Sequence, residues 1–101
     1  MRRAARVDAN SDQVVSALRA AGAYVRIITQ GEGLPDLLVG YRNPVSGNQY
    51  TLLLELKDGR KPPSARKLTP AEEKFFMEWP GGLLAKVESV EEALDILKRC
   101  V

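Results

Sequence analysis

The chain has 101 residues, of which 28% are charged and 45% are hydrophobic, with a formal net charge of only +2. These values predict one small globular domain, residues 1–101, near the lower size limit for building its own core, and no apolar run approaches the ~20 residues of a membrane span. The absence of histidine excludes Ser-His and Cys-His catalysis and histidine-type zinc sites, and the single Cys100 excludes an internal disulfide and favours a reducing, cytoplasmic setting.

The first half of the chain predicts one helix and three strands. The helix extends from about Asn10 to Ala21, where apolar residues recur at helical spacing, and Gly22 ends it. The segment AYVRIIT (23–29), rich in β-branched and aromatic residues, is typical of a strand. Two apolar runs, GLPDLLVGY (33–41) and YTLLLELKDG (50–59), predict buried strands separated by the turn NPVSGN (43–48).

The segment after the third strand predicts a loop and then a helix. DGRKPPSARKL (58–68) has two consecutive prolines and no periodicity, so we expect a surface loop. Thr69 begins a helix, with proline in the first position and Glu72 completing a capping box, and this cap accounts for Glu72 without any chemical role. The helical spacing of its aromatic residues predicts that this helix buries Phe75, Phe76 and Trp79.

The last elements are a strand and a helix. LLAKV (83–87) predicts the strand, and Ser89 with Glu92 predicts a second capping box. The helix that follows has Val90, Ala93, Leu94 and Leu97 on one face. The predicted order is α-β-β-β-α-β-α, which is an α/β fold without repeats or a second domain.

Three charged residues stand out because they interrupt apolar strands. Asp36 opens one strand, and Glu55 and Lys57 follow on the next, nineteen and twenty-one positions later. Side chains alternate faces in a strand, so Glu55 and Lys57 project to the same side. If the two strands pair as an antiparallel hairpin, Asp36 lies close to Glu55, and the three groups converge at one end of the sheet.

This convergence is what metal-dependent phosphodiester cleavage requires. Without histidine a metal site must consist of oxygen ligands, which favours Mg²⁺ or Mn²⁺. Asp36 and Glu55 are the predicted ligands, with the main-chain carbonyl of Leu56 as a third, and Lys57 would orient the nucleophile or stabilise negative charge. The simpler alternatives are a strand-initiating turn at Asp36 and an exposed Glu55–Lys57 ion pair worth little.

Basic residues flank the three charged groups. They predict contacts with a polyphosphate such as DNA, whereas the alternative is a solvated loop that only aids solubility. The residues concerned are Arg60, Lys61, Arg66 and Lys67 in the loop and Arg2, Arg3 and Arg6 at the N-terminus.

The motif PD, a gap of about twenty residues and ExK resembles the PD-(D/E)XK nuclease superfamily. Within that superfamily the chain resembles small stand-alone VRR-NUC domains of phage and bacteria almost end to end, most specifically in ELKDG-x-x-PPS-x-R-K-LTP. The resemblance implies a restriction-endonuclease-like core with a mixed central sheet flanked by helices, and divalent-metal-dependent cleavage of DNA. It also implies Asp36, Glu55 and Lys57 as the core site, and a homodimer that selects branched or Holliday-junction-like DNA.

The chain departs from this family at position 13. The family's first helix usually adds an acidic residue facing the metal, and here that residue is Gln13, which can hold a metal-bound water or only cap the helix together with Asn10. Two alternatives to a nuclease stay open, and the missing acid supports the first of them. One is a non-catalytic nucleic-acid-binding module that retains the fold, and the other is a protein-interaction domain in which the three charged groups are incidental.

Overall fold

The computed structural model describes residues 9–29 and 31–101. All the predicted helices and strands are present within this part of the chain. In chain order they are α1 (Ala9–Ala20), β1 (Tyr24–Ile27), β2 (Leu37–Arg42), β3 (Gln49–Leu56), a 3-10 turn (Pro63–Ala65), α2 (Pro70–Glu78), β4 (Leu83–Val87) and α3 (Val90–Lys98).

The four strands form one mixed sheet in the order β1-β2-β3-β4. β1 pairs with β2 and β2 with β3 in antiparallel fashion, whereas β3 and β4 are parallel and are joined by a crossover that contains α2. The turn between β2 and β3 is held by Asn43, whose side-chain oxygen accepts the N–H groups of Val45 and Ser46 at 2.8 and 2.9 Å. The predicted α/β class, with a mixed sheet flanked by helices, is confirmed.

One face of the sheet packs against α1 and α3. The alternation of β3 directs Leu52, Leu54 and Leu56 into this layer, where all three are buried. They are joined there by side chains from the other elements: Val14, Val15, Leu18, Ala23, Val25, Leu37, Val39, Val87, Ala93, Leu97 and Cys100. This single cluster forms the core, and it leaves the opposite face of β3 available for Glu55 and the groups around it.

Helix α2 begins on that opposite face. The side chain of Thr69 accepts the N–H of Glu72, and the side chain of Glu72 accepts the N–H of Thr69, so the predicted capping box is confirmed. The prediction that α2 buries its aromatic residues is wrong. Phe75 is only half-buried and Trp79 is 38% exposed, because their rings stack on each other, with centroids 5.4 Å apart, rather than enter the core.

The second predicted capping box is only half formed. Ser89 caps α3 by accepting the N–H of Glu92 at 3.1 Å. Glu92 instead directs its carboxylate to the N–H of Glu88, at 2.7 Å, one residue before the predicted donor. None of the helices among the described residues has the length and apolar character needed to cross a membrane.

Candidate active site

Asp36 lies immediately before β2 and is bonded to β3 through both its backbone and its side chain. Its N–H donates to the carbonyl of Leu54 at 3.0 Å, and its Oδ2 accepts the N–H of Leu56 at 2.8 Å. The other carboxylate oxygen, Oδ1, accepts the hydroxyl of Thr29 at 2.9 Å. The antiparallel pairing of β2 with β3 therefore brings the first acid to the end of the strand that carries Glu55, as predicted.

Glu55 is a buried acid on the face of β3 opposite the core, and it is only 3% exposed. Its Oε1 is buried and has no hydrogen-bond partner among the described residues. Burial first, and then the neighbouring carboxylates of Asp36 and Glu72, raise the pKa of Glu55 from 4.5 to about 9. Without a cation, this carboxyl therefore holds its proton at neutral pH.

Lys57 is fixed through its backbone and its ammonium group. Its N–H donates to the carbonyl of Val87 at 2.9 Å, and its own carbonyl accepts Nδ2 of Asn10 in α1 at 3.0 Å. Its Nζ lies 2.9 Å from Oε1 of Glu72 and 3.8 Å from Oε2 of Glu55. Burial opposes the ammonium charge, but these carboxylates outweigh burial and raise the pKa of Lys57.

The structure adds Glu72 to the site, although the sequence explained this residue by helix capping alone. The same oxygen, Oε1, accepts the backbone N–H of Thr69 at 2.8 Å and the ammonium of Lys57 at 2.9 Å. Burial works against ionisation, but the bonds from Lys57 and Thr69 prevail and lower the pKa of Glu72. No local spacing in the sequence indicates that the capping oxygen also reaches Lys57, fifteen residues earlier.

The donor set at Asp36 and Glu55 fits a hard divalent cation. Oε1 of Glu55 is a buried acceptor without a partner, and each oxygen of Asp36 accepts one protein hydrogen bond and keeps a second lone pair. Among the described residues, no three His, Cys, Asp or Glu side chains are arranged to hold one metal ion together. A cation here would therefore have two carboxylate ligands, and water or a main-chain oxygen would supply the others.

Gln13 is exposed and lines a cavity of about 570 Å³ whose walls include Asp58, Gly59 and Glu88. Neither Asp36 nor Glu55 lines this cavity. The capping interpretation of Asn10 with Gln13 is wrong, since α1 is already helical at Ala9 and Oδ1 of Asn10 has no hydrogen-bond partner in the described part of the chain. Asn10 acts instead through Nδ2, which bonds the backbone of Lys57.

Arg60 and Arg66, which were predicted to bind DNA, each pair with a carboxylate of the protein. The guanidinium of Arg60 donates two hydrogen bonds to the carboxylate of Asp58, at 3.0 and 3.1 Å, and the guanidinium of Arg66 donates one to Glu88 at 2.9 Å. Lys61 and Lys67 lie exposed in the same loop. The predicted basic arm of Arg2, Arg3 and Arg6 lies outside the described residues.

Comparison of the chain with models of known protein families, with curated proteins and with solved structures finds no match. The assignment of a function therefore depends on the geometry and the electrostatics of the charged groups.

Proposed function

We propose that this protein is a Mg²⁺- or Mn²⁺-dependent DNA endonuclease of the VRR-NUC family, with a restriction-endonuclease-like fold. The observation that carries the proposal is the convergence of Asp36, Glu55 and Lys57 at one end of the sheet, on the face away from the core. Burying an acid next to a second acid costs free energy, so this pair does not serve to stabilise the fold. A catalytic site is the function that this arrangement supports best.

The residues of this site have distinct roles in the proposed reaction. Asp36, Glu55 and the main-chain carbonyl of Leu56 would hold the cation, which when bound would acidify water and neutralise charge developing on the phosphate. Lys57 keeps its ammonium charged and is fixed at its backbone on both sides, so it can donate to a phosphate oxygen or orient the attacking water.

The proposed substrate is DNA, with branched or Holliday-junction-like structures as the preferred form. The loop residues Arg60, Lys61, Arg66 and Lys67, together with Arg2, Arg3 and Arg6, would contact the phosphates. One domain of this size covers little DNA, so cutting two strands is easiest for a C₂ homodimer, which is the assembly that we propose. The proposed location is the cytoplasm of a bacterial cell, or of the host cell if a phage encodes the protein.

A cleavage assay tests the catalytic proposal. Duplex, nicked and four-way DNA would be incubated with Mn²⁺ and either the wild type or Lys57→Ala. We expect Lys57→Ala to cleave at least ~100-fold more slowly, as is usual when a group that stabilises transition-state charge is removed. Lys98→Ala is the matched control, because Lys98 is an exposed lysine on α3 paired with Asp95. Equal cleavage by wild type and Lys57→Ala would exclude the proposed mechanism.

A non-catalytic nucleic-acid-binding module is the second candidate. It is favoured by the engagement of Asp36, since both of its carboxylate oxygens already accept protein hydrogen bonds, one from Thr29 and one from Leu56, so this acid has a structural role without any cation. Calorimetric titration of Mn²⁺ into wild type and Asp36→Ala separates the two functions. A binding site that disappears in Asp36→Ala supports the nuclease. DNA binding that weakens with salt, without any Mn²⁺ site, supports the binding module.

A further inference from the structure

A second charged cluster lies beside the candidate active site, and two of its members, Lys86 and Glu88, have no part in the roles assigned above. The carboxylate of Glu88 is held between two cations: its Oε1 is 2.9 Å from Nη1 of Arg66, and its Oε2 is 3.1 Å from Nζ of Lys86. Arg66 belongs to the loop after β3 and Lys86 belongs to β4, so two separate segments place positive charge on one anion. The cluster has a net charge of +1. Each of the two oxygens of the Glu88 carboxylate accepts from one of the two cations, as two oxygens of a phosphate could.

This cluster is on the same face of the sheet as Glu55. In the parallel pairing of β3 with β4, Lys86 is the register partner of Glu55, and neighbouring strands are about 4.8 Å apart. Val87 is in the core, so by alternation Lys86 and Glu88 face the opposite side. A DNA strand with one phosphate at Asp36 and Glu55 would therefore bring a neighbouring phosphate to Lys86.

The bonds within the cluster leave Arg66 incompletely satisfied. Its Nε is buried and has no hydrogen-bond partner among the described residues, although its Nη1 is bonded to Glu88. A guanidinium presents its donors as a planar fork that suits two oxygens of a phosphate. The side chains of Arg66 and Lys86 are 28% and 35% exposed, so a polyanion can reach both of them from solvent.

We propose that Arg66 and Lys86 form a binding subsite for a backbone phosphate adjacent to the one that is cleaved, and that Glu88 occupies this subsite until DNA displaces its carboxylate. This inference rests on the proposed function, because it requires a nucleic-acid strand to lie across Asp36 and Glu55. The carboxylate of Glu88 then competes with DNA for Arg66 and Lys86. This competition weakens the binding of any strand that cannot place one phosphate in the active site and another in the subsite.

The substitution Glu88→Gln tests the proposal because it removes the competing charge and nearly preserves the shape of the side chain. Binding of a labelled DNA duplex would be measured in EDTA over a range of salt concentrations. We expect an affinity tighter by about threefold to tenfold, the size of one or two partly exposed charged contacts. The slope of log K against log salt should stay close to that of the wild type, because DNA contacts the same two cations once it has displaced Glu88.

The matched control is Glu91→Gln, which removes one negative charge from an exposed position in the first turn of α3. It changes the net charge equally but frees neither Arg66 nor Lys86, so we expect it to change the affinity much less. Adding Arg66→Met and Lys86→Met to Glu88→Gln should abolish the gain. Equal effects of Glu88→Gln and Glu91→Gln, or a gain that survives the loss of both cations, would overturn the proposal.

Two further measurements make every outcome decisive. If circular dichroism shows that Glu88→Gln does not fold, Lys86→Gln alone tests the subsite. A slope of log K against log salt that is smaller by about 0.9 than that of the wild type supports the subsite, and an unchanged slope overturns it.

Cleavage of the same DNA by the wild type with Mn²⁺ separates the subsite from the proposed nuclease function. If the wild type cleaves but Glu88→Gln does not bind more tightly, only the subsite fails, whereas a wild type that neither binds nor cleaves contradicts the proposed function itself.

Discussion

Among the carboxyl groups that the structure describes, Glu55 has the pKa that is shifted furthest from its ordinary value. It is buried in the sheet beside Asp36, and Lys57 does not neutralise it fully, because the lysine is nearer to Glu72 than to Glu55. The carboxyl therefore stays protonated in the metal-free protein, with a pKa of about 9. A group with this property makes the stability of the protein depend on pH.

We expect the metal-free protein to lose stability as pH rises. Between pH 4.5 and about 9 the unfolded chain has released the proton of Glu55 while the folded chain still holds it. The contribution of Glu55 is thus fully present below pH 4.5 and declines toward pH 9, by at most about 1.4 kcal/mol per pH unit. Thermal unfolding in EDTA at several pH values measures this slope. In Glu55→Gln the decline should be much shallower, and an unchanged slope would contradict the assignment to Glu55.

Glu72 is expected to act as a positioning residue for Lys57. Glu72→Ala removes both the acceptor of the Lys57 ammonium and half of the capping box, so we expect cleavage about tenfold slower and a helix destabilised by about 1 kcal/mol. Glu72→Gln keeps an acceptor for both donors and should restore most of the activity. Rates at several pH values distinguish positioning from stability, because only a change at Lys57 would shift the pH profile.

The control for Glu72 is Glu73→Ala, which removes the next, exposed acid in the same turn of α2. This variant should cleave DNA at the wild-type rate. A loss of activity in Glu73→Ala equal to that in Glu72→Ala would indicate that the charge of the helix terminus matters, rather than the bond to Lys57.

At the scale of secondary-structure elements, the loop before Asp36 packs closely on α2. Gly31, Glu32 and Gly33 all have positive φ, and a Cβ at Gly33 would overlap the carbonyl oxygen of Ala71. We expect Gly33→Ala to destabilise the protein by at least about 1 kcal/mol more than Gly31→Ala. Position 31 is the matched control because its φ is also positive but nothing lies within 4 Å of a Cβ there. Urea unfolding of both variants measures the difference, and equal losses would contradict the close contact.

Much of this arrangement of elements could be predicted from the sequence because it depends on local chemistry. Period-two alternation places Glu55 and Lys57 on one face of β3, and the turn at residues 43–48 makes the β2–β3 pairing antiparallel. The cap at Thr69 follows from residue types three positions apart. These signals were sufficient to bring Asp36 and Glu55 together.

The contacts that the sequence did not reveal all join distant segments. The bond from Asn10 to the carbonyl of Lys57 and the bond from the ammonium of Lys57 to Glu72 depend on where α1 and the first turn of α2 lie relative to β3. The exposure of Trp79 has the same origin, since helical spacing defines a face but not the partner that covers it. Tertiary packing decides these contacts, and no periodicity encodes it.

At the scale of the whole molecule, the proposed homodimer predicts a definite mass in solution. Light scattering after size-exclusion chromatography should give twice the mass of one chain, at all concentrations well above the dissociation constant. A single-chain mass throughout would contradict the dimer and would leave an enzyme that cuts one strand in each encounter. If the protein is a dimer, mixing wild type with excess Lys57→Ala, with DNA in excess over both, should lower four-way-DNA cleavage only if both protomers must act.

The parallel pairing of β4 with β3 has a consequence for the path by which the chain folds. Strands β1 to β3 are contiguous and need only short loops to close, whereas β4 must return across the whole crossover between Leu56 and Leu83. Closing the longer segment costs more chain entropy, so the hairpin that unites Asp36 with Glu55 is expected to form first. Substitutions in the turn at residues 43–48 should then slow refolding, and substitutions in the crossover should mainly accelerate unfolding. The two acids would accordingly meet before β4 delivers Lys86 beside them.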